Sequence, residues 1–254
     1  MAKPKIGLQL YTLRDQTEQD FLGTIRKVAD MGYQYVEFAG YFNTSSEDLN
    51  KVLKETGIEA ISAHVGLDFN DPQKMQADLA VQIEYAKAIG LKYLVTPWAP
   101  LPENPELSDV ESLAATLEKA ARQVQDAGLI YGYHNHDFEF KKVDGQPFID
   151  RLLKRLPADL MIMEFDVGWI HMAGHSPADY LKTYAGRTPI AHLKDFGDGR
   201  RDTEVGSGSV DFESVFTIAE KAGIEYFFVE QEEFANSSLE SAKLSLDYLR
   251  GKGF

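Results

Sequence analysis

The feature that most constrains this chain is an alternation. Eight short strand-like segments are each followed by an amphipathic helical one. The strands read from the sequence are residues 6–11 (IGLQLY), 35–40 (YVEFAG), 60–65 (AISAHV), 93–98 (YLVTPW), 130–136 (IYGYHNH), 160–166 (LMIMEFD), 190–195 (IAHLKD) and 226–231 (YFFVEQ). Most are β-branched or aromatic and apolar on both faces, as expected of parallel strands covered by helices on either side. Each ends in polar residues. In the first intervening helix Phe21, Ile25, Val28 and Ala29 recur at helical spacing before a Met31–Gly32 stop, and Leu49, Val52 and Leu53 do so before Thr56–Gly57. A run opening at Ser108 places Leu113, Leu117, Ala120, Ala121 and Val124 on one face and closes at Ala127–Gly128. The same junction of helix stop and strand start recurs at Gly128–Leu129–Ile130 and Gly223–Ile224, with variants at Gly57–Ile58 and Gly90–Leu91.

Eight such rounds in 254 residues, with no linker or low-complexity tract between them, predict one domain over residues 1–254 and an α/β fold, a single (β/α)8 TIM barrel. An open doubly wound sheet would normally carry a glycine-rich phosphate fingerprint after its first strand, where this chain reads YTLRDQT. Four of the ten prolines, Pro97, Pro100, Pro102 and Pro105, fall after the fourth strand and predict a long loop there.

Composition removes several function classes. Lys+Arg is 26 against Asp+Glu 40, a formal net charge of −14, which opposes a nucleic-acid partner or an anionic membrane surface. There is no cysteine, so thiolate metal sites, iron–sulfur clusters and cysteine nucleophiles are excluded. No apolar run reaches the roughly 18 residues a membrane helix needs, nor is there an N-terminal stretch suited to secretion, so the expected location is cytoplasmic.

Catalytic groups of barrels cluster at the C-terminal ends of the strands. All six histidines fall there: His64 after strand 3, His134 and His136 on strand 5, His171 and His175 after strand 6, His192 on strand 7. Trp98 and Trp169 behave alike. Glu37, Glu139, Asp166 and Glu230 terminate or follow strands 2, 5, 6 and 8. A carboxylate at a barrel mouth is costly unless paired, hydrogen-bonded or bound to a metal. One imidazole with two or three carboxylates suits Mn²⁺ or Mg²⁺, with Zn²⁺ or Co²⁺ as the alternatives; a metal-free network of ion pairs is the competing arrangement.

GYHNHDFEF (132–140), FDVGW (165–169), HLKD (192–195), EVGSGSVDF (204–212) and FVEQ (228–231) together resemble the signature segments of the xylose isomerase-like barrels, in particular the sugar phosphate isomerases and epimerases. The resemblance spans essentially the whole chain. It implies a divalent metal held by an acidic residue of strand 5, an Asp of strand 6, a His of strand 7 and a Glu of strand 8. Asp166, His192 and Glu230 match the last three. Strand 5 departs from the pattern, because the position that best matches its ligand is His134. Side-chain alternation puts His134 and His136 on one face and Glu139 out of phase, so Glu139 reaches the metal only if the strand bulges or has ended. We expect Glu139 as the fourth ligand, with His134 the alternative.

The implied chemistry is proton transfer at a carbon next to a carbonyl, with a cation polarising the oxygens of a keto-sugar or sugar phosphate. Glu139 and Glu230 are the expected proton-transfer pair, and His64, His136, Lys194, Trp169 and Glu37 the expected substrate contacts. Trp98 and Phe38 are further candidate platforms for a sugar ring. Lys194 shares the parity of His192, although a salt bridge to Asp195 or another neighbour explains it equally. Gly206, Ser207 and Gly208 precede a helix capped by Ser209 or Asp211; a turn plus cap is the expected arrangement, a phosphate cradle the other. Arg200 and Arg201 could meet an anionic group or simply form a solvated loop. Two other functions stay open: a dehydratase or lyase acting by β-elimination on a keto-sugar, inosose or 3-keto-glycoside, and a non-catalytic sugar-binding barrel. DNA repair of the endonuclease IV type fits poorly, because Trp169 stands where a metal-binding His would follow the strand-6 Asp. Barrels of this family are commonly dimers or tetramers, which leaves a homo-oligomer open.

Overall fold

The computed structural model describes residues 3–254. Eight parallel strands close into a barrel: β1 Lys5–Gln9, β2 Tyr35–Phe38, β3 Glu59–His64, β4 Tyr93–Thr96, β5 Ile130–His134, β6 Ile162–Asp166, β7 Ile190–Leu193 and β8 Tyr226–Val229. Sequential strands pair, and β8 returns to pair with β1 from Lys5↔Tyr226 to Leu8↔Val229. The crossover helices are α1 Phe21–Met31, α2 Ser46–Thr56, α3 Pro72–Ile89, α4 Leu107–Asp126, α5 Phe148–Arg155, α6 Pro177–Thr183, α7 Phe212–Ala222 and α8 Ser238–Gly251. The α/β barrel expected from the alternation is therefore the fold. The glycine junctions are helix stops, with Gly57 and Gly223 at φ +73° and +85°, where a side chain would be strained. The proline-rich stretch is a loop from 97 to 106. Among the described residues no helix is long and apolar enough to cross a membrane.

The strands are shorter than the apolar runs suggested, and nearly all the lost length is at the mouth. There the chain leaves the ladder for turns: β1 passes at Leu10 into a 3₁₀ turn, and β5 stops at His134, so His136 lies beyond the strand. Besides a single helical turn at Arg14–Thr17, three elements at the mouth were not expected. A short helix, Val167–Met172, follows β6 directly and carries His171. Two small antiparallel hairpins pair Lys142–Val143 with Gln146–Pro147, and Asp195–Phe196 with Asp202–Thr203.

Outward-facing strand residues such as Leu8, Val36, Leu94, Tyr131, Phe165 and Phe227 join the helices in one apolar layer. The inward-facing residues form a separate cluster: Ile61, Tyr93, Val95, Ile162, Ile190, Tyr226 and Phe228, with Tyr35 against it. Gly7 makes room for it, since a Cβ there would lie 2.5 Å from the Phe228 ring. On five of the strands the next inward position changes character. Tyr35 is followed by Glu37, Gly132 by His134, Ile162 by Glu164 and Asp166, Ile190 by His192 and Lys194, and Phe228 by Glu230. The barrel interior is thus plugged with apolar side chains at the N-terminal end and charged at the C-terminal end.

Candidate active site

Strand parity places the charged groups. Asp166, His192 and Glu230 come from β6, from β7 and from just past β8, and His134 is the last residue of β5. All four are buried, and one ligand atom from each lies within 4.8 Å of every other. Asp166 caps the Val167–Met172 helix, its Oδ1 accepting from the Trp169 N–H at 2.9 Å. Its other oxygen, Oδ2, is buried with no partner, while His134 Nδ1 lies 3.3 Å from Glu164 Oε2. His192 Nδ1 stands 3.0 Å from Glu230 Oε2.

The electrostatics suit a cation. Burial raises Asp166 to about 7 despite the opposing field of Lys194, so an ionised Asp166 lacks compensation in the bare chain. Burial also drives His134 down to about 3, keeping it in the neutral form a metal needs. Burial works against the charges on Glu230 and His192 too. Lys194 and His192 nevertheless hold Glu230 well below the carboxylate range, while Glu164, Glu37 and Glu230 hold His192 well above its ordinary value. An unpartnered carboxylate oxygen on Asp166 beside a neutral imidazole, within a buried group of four ligand-forming side chains, suits a divalent cation.

The structure puts Glu139 elsewhere. It sits in a 3₁₀ turn after β5, buried, where Tyr133 Oη donates to it at 2.7 Å and the His136 N–H at 2.8 Å. Tyr133 faces outward from the barrel, so Glu139 anchors the end of β5 from behind and is absent from both groups of converging ligand atoms in this barrel. Its carboxyl is raised to about 7 by burial. Glu37, expected at the substrate, lies beneath the site instead. It is wholly buried and engaged by Gln9, Ser62 and His192.

A cavity of about 360 Å³ reaches two of the four groups, His134 and Glu230, and is bounded also by Tyr11, Trp98, His64, His136 and Glu232 among others. Trp98 is 49% exposed and Tyr11 41%, so both offer flat apolar faces. Phe38, considered as a platform, is packed in the core against Phe21 and Tyr41, because its strand parity turns it outward to the helices. Trp169 lies beside His136 at 5.6 Å, with Lys194 Nζ 5.4 Å from its ring. Lys194 is fully buried and reaches Glu232 at 2.7 Å, Asp202 at 3.3 Å and Glu230 at 3.8 Å. Asp195 is not its partner. Arg200 pairs with Asp137 at the rim; His171 and His175 lie outside the cavity lining.

The EVGSGS loop is already filled. The N–H groups of Gly206, Gly208 and Val210 donate to the Asp195 carboxylate at 2.9, 2.8 and 3.1 Å. A Cβ on Gly208 would come within 2.4 Å of Asp195 Oδ1. Asp211, not Ser209, caps α7. Two groups escaped the sequence reading. Glu164 shares Asp166's parity two residues earlier in LMIMEFD, a usable signal, whereas Glu232 lies past β8 with no periodicity to mark it.

Residues 25–252 match the family model of the xylose isomerase-like TIM barrel. The chain belongs to that family. Within it, the chain is 29% identical over 200 residues to an inosose dehydratase of Geobacillus kaustophilus, covering 72% of this chain and 64% of that one. A sugar phosphate isomerase/epimerase from Parabacteroides distasonis superposes with a TM-score of 0.86 at 26% identity, over 98% of this chain and 94% of the other. The 3-keto-D-glucoside 4-epimerase of E. coli shares the fold, with a TM-score of 0.76 at 18% identity over 98% and 100% of the two chains.

Proposed function

We propose that the protein is a divalent-cation-dependent enzyme that moves a proton at the carbon beside the carbonyl of a keto-sugar or sugar phosphate, as an isomerase or epimerase. The observation that carries this reading is the convergence of the buried His134, Asp166, His192 and Glu230, with an unpartnered oxygen on Asp166 and with His134 and Glu230 lining an aromatic-walled cavity. These four would hold the ion, with His134 in the place first given to Glu139. When bound, a Mn²⁺ or Mg²⁺ ion would polarise the substrate's adjacent oxygens and lower the acidity barrier at the carbon between them. Glu230, held ionised and lining the cavity, is the base. His136 also lines the cavity, where burial lowers it to about 4 and keeps it neutral, so it can accept a hydrogen bond from the sugar, while the proton Glu230 takes up is the one it returns to the substrate. Lys194, anchored by Glu232, sets the charge behind Glu230. Trp98 and Tyr11 cover the apolar face of the sugar.

A second reading ends the same first step differently. His64 on the cavity wall, raised against its burial to about 10 by the charges of Glu37 and Glu164, could protonate a leaving oxygen, and the inosose dehydratase of Geobacillus kaustophilus is a relative whose name denotes such an elimination. Incubation with keto-sugars and Mn²⁺ in D₂O separates the two. Solvent deuterium in recovered sugar or its epimer supports the first, and a water-loss product supports the second. No exchange and no product with any divalent ion, alongside measurable sugar binding, would leave a non-catalytic sugar-binding barrel.

A further inference from the structure

Beneath the four converging groups lies a second layer of charge that the proposed chemistry does not use. Glu37 Oε1 lies 2.6 Å from His192 Nε2 and 3.1 Å from His64 Nε2. Glu164 Oε2 lies 2.7 Å from His64 Nε2, 3.2 Å from His192 Nε2 and 3.3 Å from His134 Nδ1. Glu37 is itself fixed, since Gln9 Nε2 donates to Oε1 at 2.6 Å and Ser62 Oγ donates to Oε2.

An imidazole that binds a metal through one nitrogen must carry its proton on the other, and the group that accepts that proton sets which nitrogen is free. On His192 two carboxylate oxygens stand at Nε2, while Nδ1 faces Glu230 within the proposed ion site. We infer that Glu37, backed by Glu164, is a positioning residue that fixes the Nε2–H tautomer of His192 and so presents Nδ1 to the cation. This rests on the cation site proposed above.

A rival use of the same atoms is a second ion. His64, His134, Glu164 and His192 also bring ligand atoms within 4.8 Å of one another, and Glu164 Oε1 has no partner. The distances decide against it. An ion there would have to take His192 Nε2 from Glu37, whose Oε1 stands 2.6 Å away, and it would remove the proton that directs Nδ1 to the first ion.

The test uses the full chain titrated with Zn²⁺ alone, read by ions bound per chain, by dissociation constant and by long-range ¹H–¹⁵N correlations of the histidine rings. Wild type should bind one ion and show His192 protonated at Nε2. Glu37→Gln can offer an amide N–H to that nitrogen, so it should weaken binding roughly 10- to 100-fold and disturb the His192 pattern while keeping one ion per chain. Ser62→Ala, which only loosens Glu37, should show the same change on a smaller scale, and it decides the matter if Glu37→Gln does not fold. Unchanged affinity and tautomer in the folded variants would overturn the inference. So would two ions in wild type, one of them lost in Glu164→Gln. A wild type that binds no ion would instead defeat the cation site itself.

Discussion

The two ends of the barrel interior are built from the same eight strands, one pleat apart, yet they obey opposite rules. At the N-terminal end Tyr35, Tyr93, Ile162, Ile190, Tyr226 and Phe228 pack without a charged group among them, and Lys5 lies over the rings of Tyr35 and Tyr226. At the C-terminal end Glu37, His134, Glu164, Asp166, His192 and Lys194 are at least as well buried and nearly all charged or ligand-forming. The lower half gains free energy from apolar area removed from water. The upper half forgoes that gain, surrounding each desolvated charge with opposite charges and leaving selected atoms unpartnered. Stability and chemistry are thereby assigned to different layers of one structure.

The largest effect should come from breaking the upper layer at its unpartnered oxygen. Asp166→Asn is expected to lower turnover by about 10² to 10⁴ and to abolish ion binding, with wild type but not the variant gaining thermal stability from added Mn²⁺. Calorimetry with and without Mn²⁺ checks this, and an equal gain in both would show that the ion sits elsewhere. In the lower layer, Ile190→Ala should cost about 2–5 kcal/mol in urea unfolding and leave the number of bound ions unchanged. A loss of ion binding in that variant would mean the two layers are not separable.

Glu139 tests the boundary between the halves. Its carboxyl is raised in the fold to about 7 from 4.5 by burial, so the fold favours the protonated form. That contribution is complete below about pH 4.5 and is lost as pH rises through about 7, a decline of roughly 3 kcal/mol for a shift of this size. Glu139→Gln should flatten this part of the stability profile between about pH 4.5 and 7, and an unaltered slope would show that the carboxyl is compensated in another way. The smallest effect should be at the bottom of the barrel. Lys5→Ala is expected to cost about 0.5–1 kcal/mol, because its cation–π contacts are near solvent. Equilibrium unfolding would detect a larger loss if Lys5 were instead holding the plug together.

Much of this was legible in the residues themselves. The eightfold alternation, the glycine stops and the proline-rich loop gave the barrel, because parallel strands and their helices differ in period over long enough stretches to be told apart. Placing scarce residue types at strand ends singled out Asp166 and His192, which the fold brings together with His134 and Glu230, whereas Lys194, expected at the substrate, is buried against Glu232 and Asp202. Parity alone set Glu139 apart from His134, and the structure keeps the two apart for that reason: the strand ends at His134 and the chain turns behind it. Glu37 was misplaced because a residue at the end of a strand can point up into the cavity or sideways into the barrel, and only the neighbours Gln9, Ser62 and His192 settle which. Glu164 was overlooked because it sits inside an apolar run, where the eye expects packing. Glu232 and Asp202 meet Lys194 across 38 and 8 residues of chain, a relation no local pattern encodes.

One loop has a consequence for what the enzyme can accept. Barrels often seat a phosphate on backbone amides after their seventh strand, but here Asp195 has taken that seat with a carboxylate of the protein's own. An incoming phosphoryl group would find those amides spoken for and the resident charge hostile. Any phosphorylated substrate would have to be greeted by side chains around the rim, where Arg200 is already paired with Asp137.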